Sequence, residues 1–149
     1  MGMFDAINAS GSGLTAERLR MDVTAENLAN AQTTRGADGN PYRRKEVVLQ
    51  ETGRGSFGSM LTSAMGTGRG ATSAGGVQVA GIVEDQAPSK LVYDPGHPDA
   101  NADGYVEMPN VNSVTEMVDL ISASRGYEAN VTAIQTAKNM FSKTLDILR

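Results

Sequence analysis

Met117-Val-Asp-Leu120-Ile-Ser-Ala-Ser124-Arg-Gly-Tyr127-Glu-Ala-Asn-Val131-Thr-Ala-Ile134-Gln-Thr-Ala-Lys138-Asn-Met-Phe141-Ser-Lys-Thr-Leu145-Asp-Ile-Leu148 decides the fold. The numbered positions alternate in steps of 3 and 4, and eight of the ten are apolar or aromatic. A repeat of 3.5 residues keeps one stripe facing a partner helix along its whole length. A helix over 113–148 would be roughly 54 Å long, against about 30 Å for the diameter of a small domain. It therefore projects, and its stripe needs another helix. Ser113-Val-Thr-Glu116 has the capping-box spacing and is expected to start it. Glu116 and Asp119 suit the N-terminal end of the helix dipole, and Lys143 and Arg149 the C-terminal end.

The N-terminal segment supplies a partner. Ile7, Leu14, Met21 and Leu28 recur every seven residues, with Phe4, Gly11, Arg18 and Ala25 as the weaker offset set. Gly11 and Gly13 each cost about 1 kcal/mol in a helix interior relative to Ala, so these first turns need packing to persist. Two arrangements satisfy the pattern. One is an intramolecular helical hairpin. The other is a subunit whose paired terminal helices pack in turn on neighbours. The fold class is mainly α with a small β-rich middle, the N- and C-terminal helices pairing as a coiled coil.

Composition limits the rest. Aromatic residues are 5%, Trp is absent and Gly numbers 17, which argues against a large dense core. The formal net charge of −4 disfavours nucleic acid as a partner. No run of 18 apolar residues is present, so no membrane-spanning segment is expected. The first residues carry no basic region followed by an apolar run, and read as lacking a secretory signal. With zero cysteines, disulfides and thiolate metal sites are excluded. On composition alone the address is cytoplasmic.

Three regions follow: residues 1–34 as the N-terminal helix, 35–110 as a β-rich and loop middle, and 111–149 as the long C-terminal helix. In the middle, Asp38-Gly39-Asn40-Pro41 signals a turn. Tyr42 to Gln50 reads as a strand with a basic front. The Gly-, Ser- and Thr-rich stretch 52–76 reads as flexible linker. Val77 to Glu84, alternating on Val77, Val79 and Val83, suits a half-buried strand. Leu91–Tyr93 and Tyr105–Met108 are short strands flanking a turn-rich Asp94–Gly104.

Few residues invite chemistry. Asp99-Ala-Asn101-Ala-Asp103-Gly104 matches the first half of a calcium-binding loop. Asn110 stands where a bidentate Glu is required, and prolines flank it in place of helices. Turn formation explains the same residues. His97, the only histidine, has no second histidine to share a metal and reads as a loop residue with one hydrogen bond or none. The Gly66–Gly76 run lacks a P-loop's Gly-Lys-Ser/Thr ending. Tyr42, Arg43, Arg44 and Lys45 form a basic patch suited to lateral docking. No catalytic residue, metal or cofactor is expected.

Ser12-Gly-Leu-Thr-Ala-Glu-Arg-Leu-Arg-Met-Asp-Val23, followed by Ala25-Glu-Asn-Leu-Ala-Asn-Ala31, resembles the N-terminal signature of bacterial flagellar rod and hook proteins. Its centre is Asn27, Leu28 and Asn30. Gly104-Tyr-Val-Glu-Met-Pro-Asn-Val-Asn112, Glu116-Met-Val-Asp119 and Ser124-Arg-Gly-Tyr-Glu-Ala-Asn130 resemble the C-terminal half of a proximal-rod member of that family. Pro109, Asn110 and Asn112 carry that part of the likeness. Gly126 departs from it, since relatives commonly hold a larger residue there.

The resemblance implies a structural subunit whose terminal helices pair into an α-helical domain lining a helical tube, with the β-rich middle further out. It implies copies of itself and other rod subunits as partners. It also implies passage through the flagellar type III export apparatus without a cleaved signal, ending in a periplasmic rod that transmits torque. That replaces the cytoplasmic address. Helix pairing and subunit packing fall to Ile7, Leu14, Met21, Leu28, Met117, Leu120, Tyr127, Val131, Ile134, Phe141, Leu145 and Leu148. Another axial rod or hook subunit, or a soluble coiled-coil adaptor, would use the same stripes.

Overall fold

The computed structural model describes residues 3–36, 39–52 and 75–147. Helix α1 spans Met3–Ala29 and helix α2 spans Ser113–Ile147. Between them lie β1 (Lys45–Thr52), β2 (Gly76–Glu84), β3 (Lys90–Tyr93) and β4 (Tyr105–Met108). β1 pairs with β2, and β3 with β4, as two separate two-stranded sheets. The mainly α fold with a small β middle is therefore as expected. Most of the 52–76 stretch and Leu148 fall outside the described residues.

Several boundaries differ from expectation, among them the end of α1 at Ala29 rather than near residue 34. Tyr42–Arg44 precede β1 rather than belonging to it. Pro41 cannot donate to a ladder, and the Arg44 N–H donates to the Asn110 side chain at 3.3 Å. The start of α2 is capped by Asn112, not Ser113. Asn112 Oδ1 accepts from the N–H groups of Val114 at 3.0 Å and Thr115 at 3.5 Å, satisfying donors that the first helical turn leaves open. Glu116 is thereby released from the reciprocal capping role.

The chain packs as two compact units, through both of which α1 and α2 pass. The first holds α1 up to Arg18, the β1–β2 ribbon from Leu49 and up to Ala80, and α2 from Arg125. Here the helices touch by close approach. A Cβ on Gly13 would lie 2.9 Å from Asn130 Nδ2, and one on Gly126 would lie 3.2 Å from Glu17 Cδ. Positions rising along α1 thus meet positions falling along α2, and the pair is antiparallel. Ala16 and Ala137 are buried. Ser12 fastens the ribbon: its Oγ donates to the Ala9 carbonyl at 2.7 Å and accepts the Val77 N–H at 3.0 Å.

The second unit holds Leu19–Val48 and Gly81–Ser124. Its β3–β4 hairpin is antiparallel, with Val92 opposite Val106 and Tyr93 opposite Tyr105. The two tyrosine rings meet edge to face, 5.3 Å between centroids. Gly104 has φ +78°, and a Cβ there would sit 3.0 Å from the Tyr93 ring. Both the backbone and the available space require glycine at this point. Val23, Val106 and Ala123 are buried.

Among the described residues, the buried hydrophobic side chains are Ala16, Val23, Val106, Ala123 and Ala137, joined by Pro109. None exceeds valine in size, in keeping with a sequence poor in aromatics. The strand alternation is looser than the pattern predicts. Val79 is half-buried, but Val77 and Val83 are exposed, because a two-stranded ribbon offers them no covering layer.

Candidate functional site

The best-built constellation lies in the second unit and centres on Asn27, which is 1% exposed. Asn27 sits in the last turns of α1. Its Nδ2 donates to the Lys45 carbonyl at 2.8 Å and to Glu116 Oε2 at 3.0 Å. Its Oδ1 accepts the Lys45 N–H and the Tyr42 hydroxyl, each at 2.9 Å. All four hydrogen-bonding places of the amide are filled. Turning the amide over would set donors against donors, so the contacts themselves fix its orientation. Pairing with both N–H and C=O of Lys45, the side chain acts as a peptide group would, and holds the first residue of β1 on α1. An aspartate has no donor for the carbonyl.

Glu116, also 1% exposed, is the charged member. A carboxylate removed from water requires a cation and further hydrogen bonds. Arg44 Nε donates to Oε1 at 2.6 Å, while Asn27 holds Oε2. Arg44 also lies 3.6 Å from Asp119 and 3.9 Å from Glu46. The hydrogen bond to Glu116 raises the Arg44 pKa further above its ordinary value. Burial, then the carboxylates of Glu26, Glu116 and Glu84, pushes the Tyr42 hydroxyl up to about 12. Lys45 Nζ bonds Glu26 at 2.5 Å and lies 5.6 Å from the centre of the Tyr42 ring.

The residues carrying the family likeness fall on or beside this hub. Asn110 Oδ1 receives the Arg44 N–H, Asn112 caps α2, and Pro109, just before them, is buried. Asn30 closes α1: its N–H and its Nδ2 both donate to the Glu26 carbonyl, at 3.1 and 2.9 Å. Leu28 is half-buried. Of the basic segment, Tyr42, Arg44 and Lys45 are engaged within the unit. Arg43 is exposed and reaches Gln86 at 3.4 Å.

Inward-facing residues on α2 lie one position ahead of the quoted stripe. Glu116, Ala123 and Ala137 are buried and Asn130 is half-buried, again at sevens. On α1 the buried line is Ala16, Val23 and Asn27. Ile7, Leu14, Met21, Leu120, Tyr127, Val131 and Ile134 are half-buried on the flanks. Met117, Phe141 and Leu145 are exposed, as are Phe4, Val114, Val118, Ile121 and Met140. Small side chains let two helices approach closely, and large ones are displaced to the rims and the outside.

The loop at Asp94–Gly104 spends its polar groups on its own turns, on Thr34 and on Arg35, which lies 3.7 Å from Asp99. Asn101 Oδ1 accepts from Asp103 N–H and Tyr105 N–H, and Asp99 accepts the Thr34 hydroxyl at 2.8 Å. His97 Nδ1 accepts the Asp99 N–H at 3.1 Å. Periodicity cannot find the pairing of Glu116 with Arg44, since 72 residues separate them. The available signal is a polar Asn27 in the line of Ala16 and Val23.

Two family models match the chain: "Flagella basal body rod protein" over residues 7–37 and "Flagellar basal body rod FlgEFG protein C-terminal" over residues 102–147. The chain is 53% identical over 152 residues to the flagellar basal-body rod protein FlgC of Bacillus subtilis (strain 168), covering 99% of each. It is 47% identical to the protein of that name from Borreliella burgdorferi over 155 residues, covering 100% of this chain and 99% of the relative. With that of Escherichia coli O6:H1 it shares 47% over 147 residues, covering 99% and 98%.

Proposed function

The chain belongs to the FlgC family of flagellar basal-body rod proteins, and on that premise we propose that it polymerises through its terminal helices, with copies of itself and with other rod subunits. It is a structural subunit of the flagellar basal-body rod. The observation that carries the polymerisation reading is the outward face of the helices. Phe4 is 70% exposed, Val114 65%, Val118 59% and Leu145 50%. Large apolar surface left open on a folded chain marks a site of association. The helix interior satisfies itself with small and polar residues, so these side chains are free for neighbours. Open, non-closing contacts of this kind build helical assemblies.

In that assembly the hub ties the end of α1, the start of β1 and the start of α2 together within the second unit, which suits a proximal rod segment that passes torque outward. Arg43 and the β3–β4 hairpin are the lateral contacts of this reading. The chain reaches its periplasmic place through the flagellar export apparatus, and the scarcity of large buried side chains favours threading. Mass spectrometry of purified basal bodies tests the assignment. The chain is expected to co-purify with the rod. A discrete soluble oligomer absent from basal bodies would favour the coiled-coil adaptor. Phe141→Asp sharpens the test: it is expected to change the unfolding free energy of the purified chain by less than about 0.5 kcal/mol while abolishing swimming. Cells that still swim would remove this face from the assembly surface.

A further inference from the structure

The inward line of α2 is Glu116, Ala123, Asn130 and Ala137, each seven residues from the last. The line it meets on α1 is similarly small, with Ala16 and Val23. Sliding α2 by a heptad sets Ala123, Asn130 and Ala137 where Glu116, Ala123 and Asn130 stood, so apolar packing along this line does little to separate the native register from its neighbour. Something else must choose.

We propose that the buried Asn27–Glu116–Arg44 hub is the register lock of the helix pair, the element that selects one antiparallel alignment from the heptad-shifted alternatives. A heptad slide brings Ala123 to Asn27 and leaves Asn27 Nδ2 without its acceptor. It also takes Glu116 away from Arg44. Arg44 cannot follow Glu116 without pulling the adjacent Lys45 off α1, because both the N–H and the C=O of Lys45 are held by Asn27. A slide therefore strands a buried carboxylate and an amide, and each unsatisfied group carries its full desolvation penalty. A single buried polar residue is known to fix register in helical pairs at some cost in stability. All of these contacts lie within one chain.

The chain has no cysteine of its own, so register can be read by engineered disulfides. Val23 lies one turn before Asn27 and Leu120 one turn after Glu116, which makes them neighbours in the native antiparallel alignment. Val23 and Tyr127 become neighbours only after a heptad slide. In the full-length protein, V23C/L120C is expected to oxidise readily and V23C/Y127C to remain at background, since a disulfide demands close Cβ atoms. Adding N27L and E116L should lower the first several-fold and raise the second well above background. If the hub variant loses its helical signal, E116Q decides. Its side chain has one carbonyl oxygen for two donors, Arg44 Nε and Asn27 Nδ2, so one bond must break and slipped product must appear. A native-only cross-link in a folded hub variant, or in E116Q, would overturn the proposal.

Discussion

Where Gly13 meets Asn130 and Gly126 meets Glu17, the two helices are held by nearness. Where Asn27 meets Glu116, they are held by a closed set of directional bonds that also involves Tyr42, Arg44 and Lys45. The first device tolerates adjustment, because the opposing atoms end flexible side chains. The second does not, because every place on Asn27 is taken and the carboxylate beside it is out of water. The first unit is therefore expected to be the adaptable one and the second the rigid reference.

The largest test of that contrast removes one partner from each. Arg44→Met leaves Glu116 buried without its cation. Breaking a buried pair this way costs 3–5 kcal/mol, and with 24% of the Arg44 side chain exposed a loss of about 3 kcal/mol is expected. Asn130→Ala in the first unit should cost no more than about 1 kcal/mol. Urea unfolding of the two variants compares them directly. Equal losses would erase the distinction between the units.

A smaller effect separates the units by pH. Tyr42 has its pKa raised from 10.0 to about 12 in the folded chain. Folding thus favours the protonated phenol. The resulting stability is fully present below pH 10 and is lost as pH rises from there through the folded value. Tyr42→Phe deletes the hydroxyl's bond to Asn27, for a cost of about 1 kcal/mol at neutral pH. It should also flatten the alkaline fall that the parent shows. Parallel stability–pH curves for parent and variant would place the titration elsewhere.

Much of this architecture was readable from spacing alone, and the part that was not has a physical reason. The heptads placed both helices, because period depends only on which positions repeat. Their phase did not follow, because the usual rule assigns large apolar side chains to the seam. In α2 the seam belongs to Ala123, Asn130 and Ala137, and large residues such as Phe141 stay outside. Strands at Tyr105–Met108 and Val77–Glu84 showed in β-branched and aromatic residues. The hub was hidden, because Asn27, Arg44 and Glu116 are distant in sequence, and Arg44 and Glu116 read locally as a docking patch and a helix cap. Asn112 outcompeted Ser113 as cap, which freed Glu116 for the interior. The family motif pointed to Asn27, Asn110 and Asn112 without saying what they do.

The finest comparison lies within α1 itself. Gly11 and Gly13 share a helix and should carry the same entropic cost relative to alanine. Their surroundings differ: a Cβ on Gly11 would meet nothing within 4 Å, while one on Gly13 would sit 2.9 Å from Asn130 Nδ2. Gly11→Ala should therefore return most of the helix-propensity difference, about 0.5–1 kcal/mol of added stability. Gly13→Ala gains the same term but must push the Asn130 amide aside, and its net effect should be near zero. The double substitution Gly13→Ala with Asn130→Ala removes the obstacle and should recover the gain relative to Asn130→Ala alone. If Gly13→Ala stabilises as much as Gly11→Ala, the close approach at Asn130 is not what holds this end of the pair, and the contrast with the hub must rest on the hub alone.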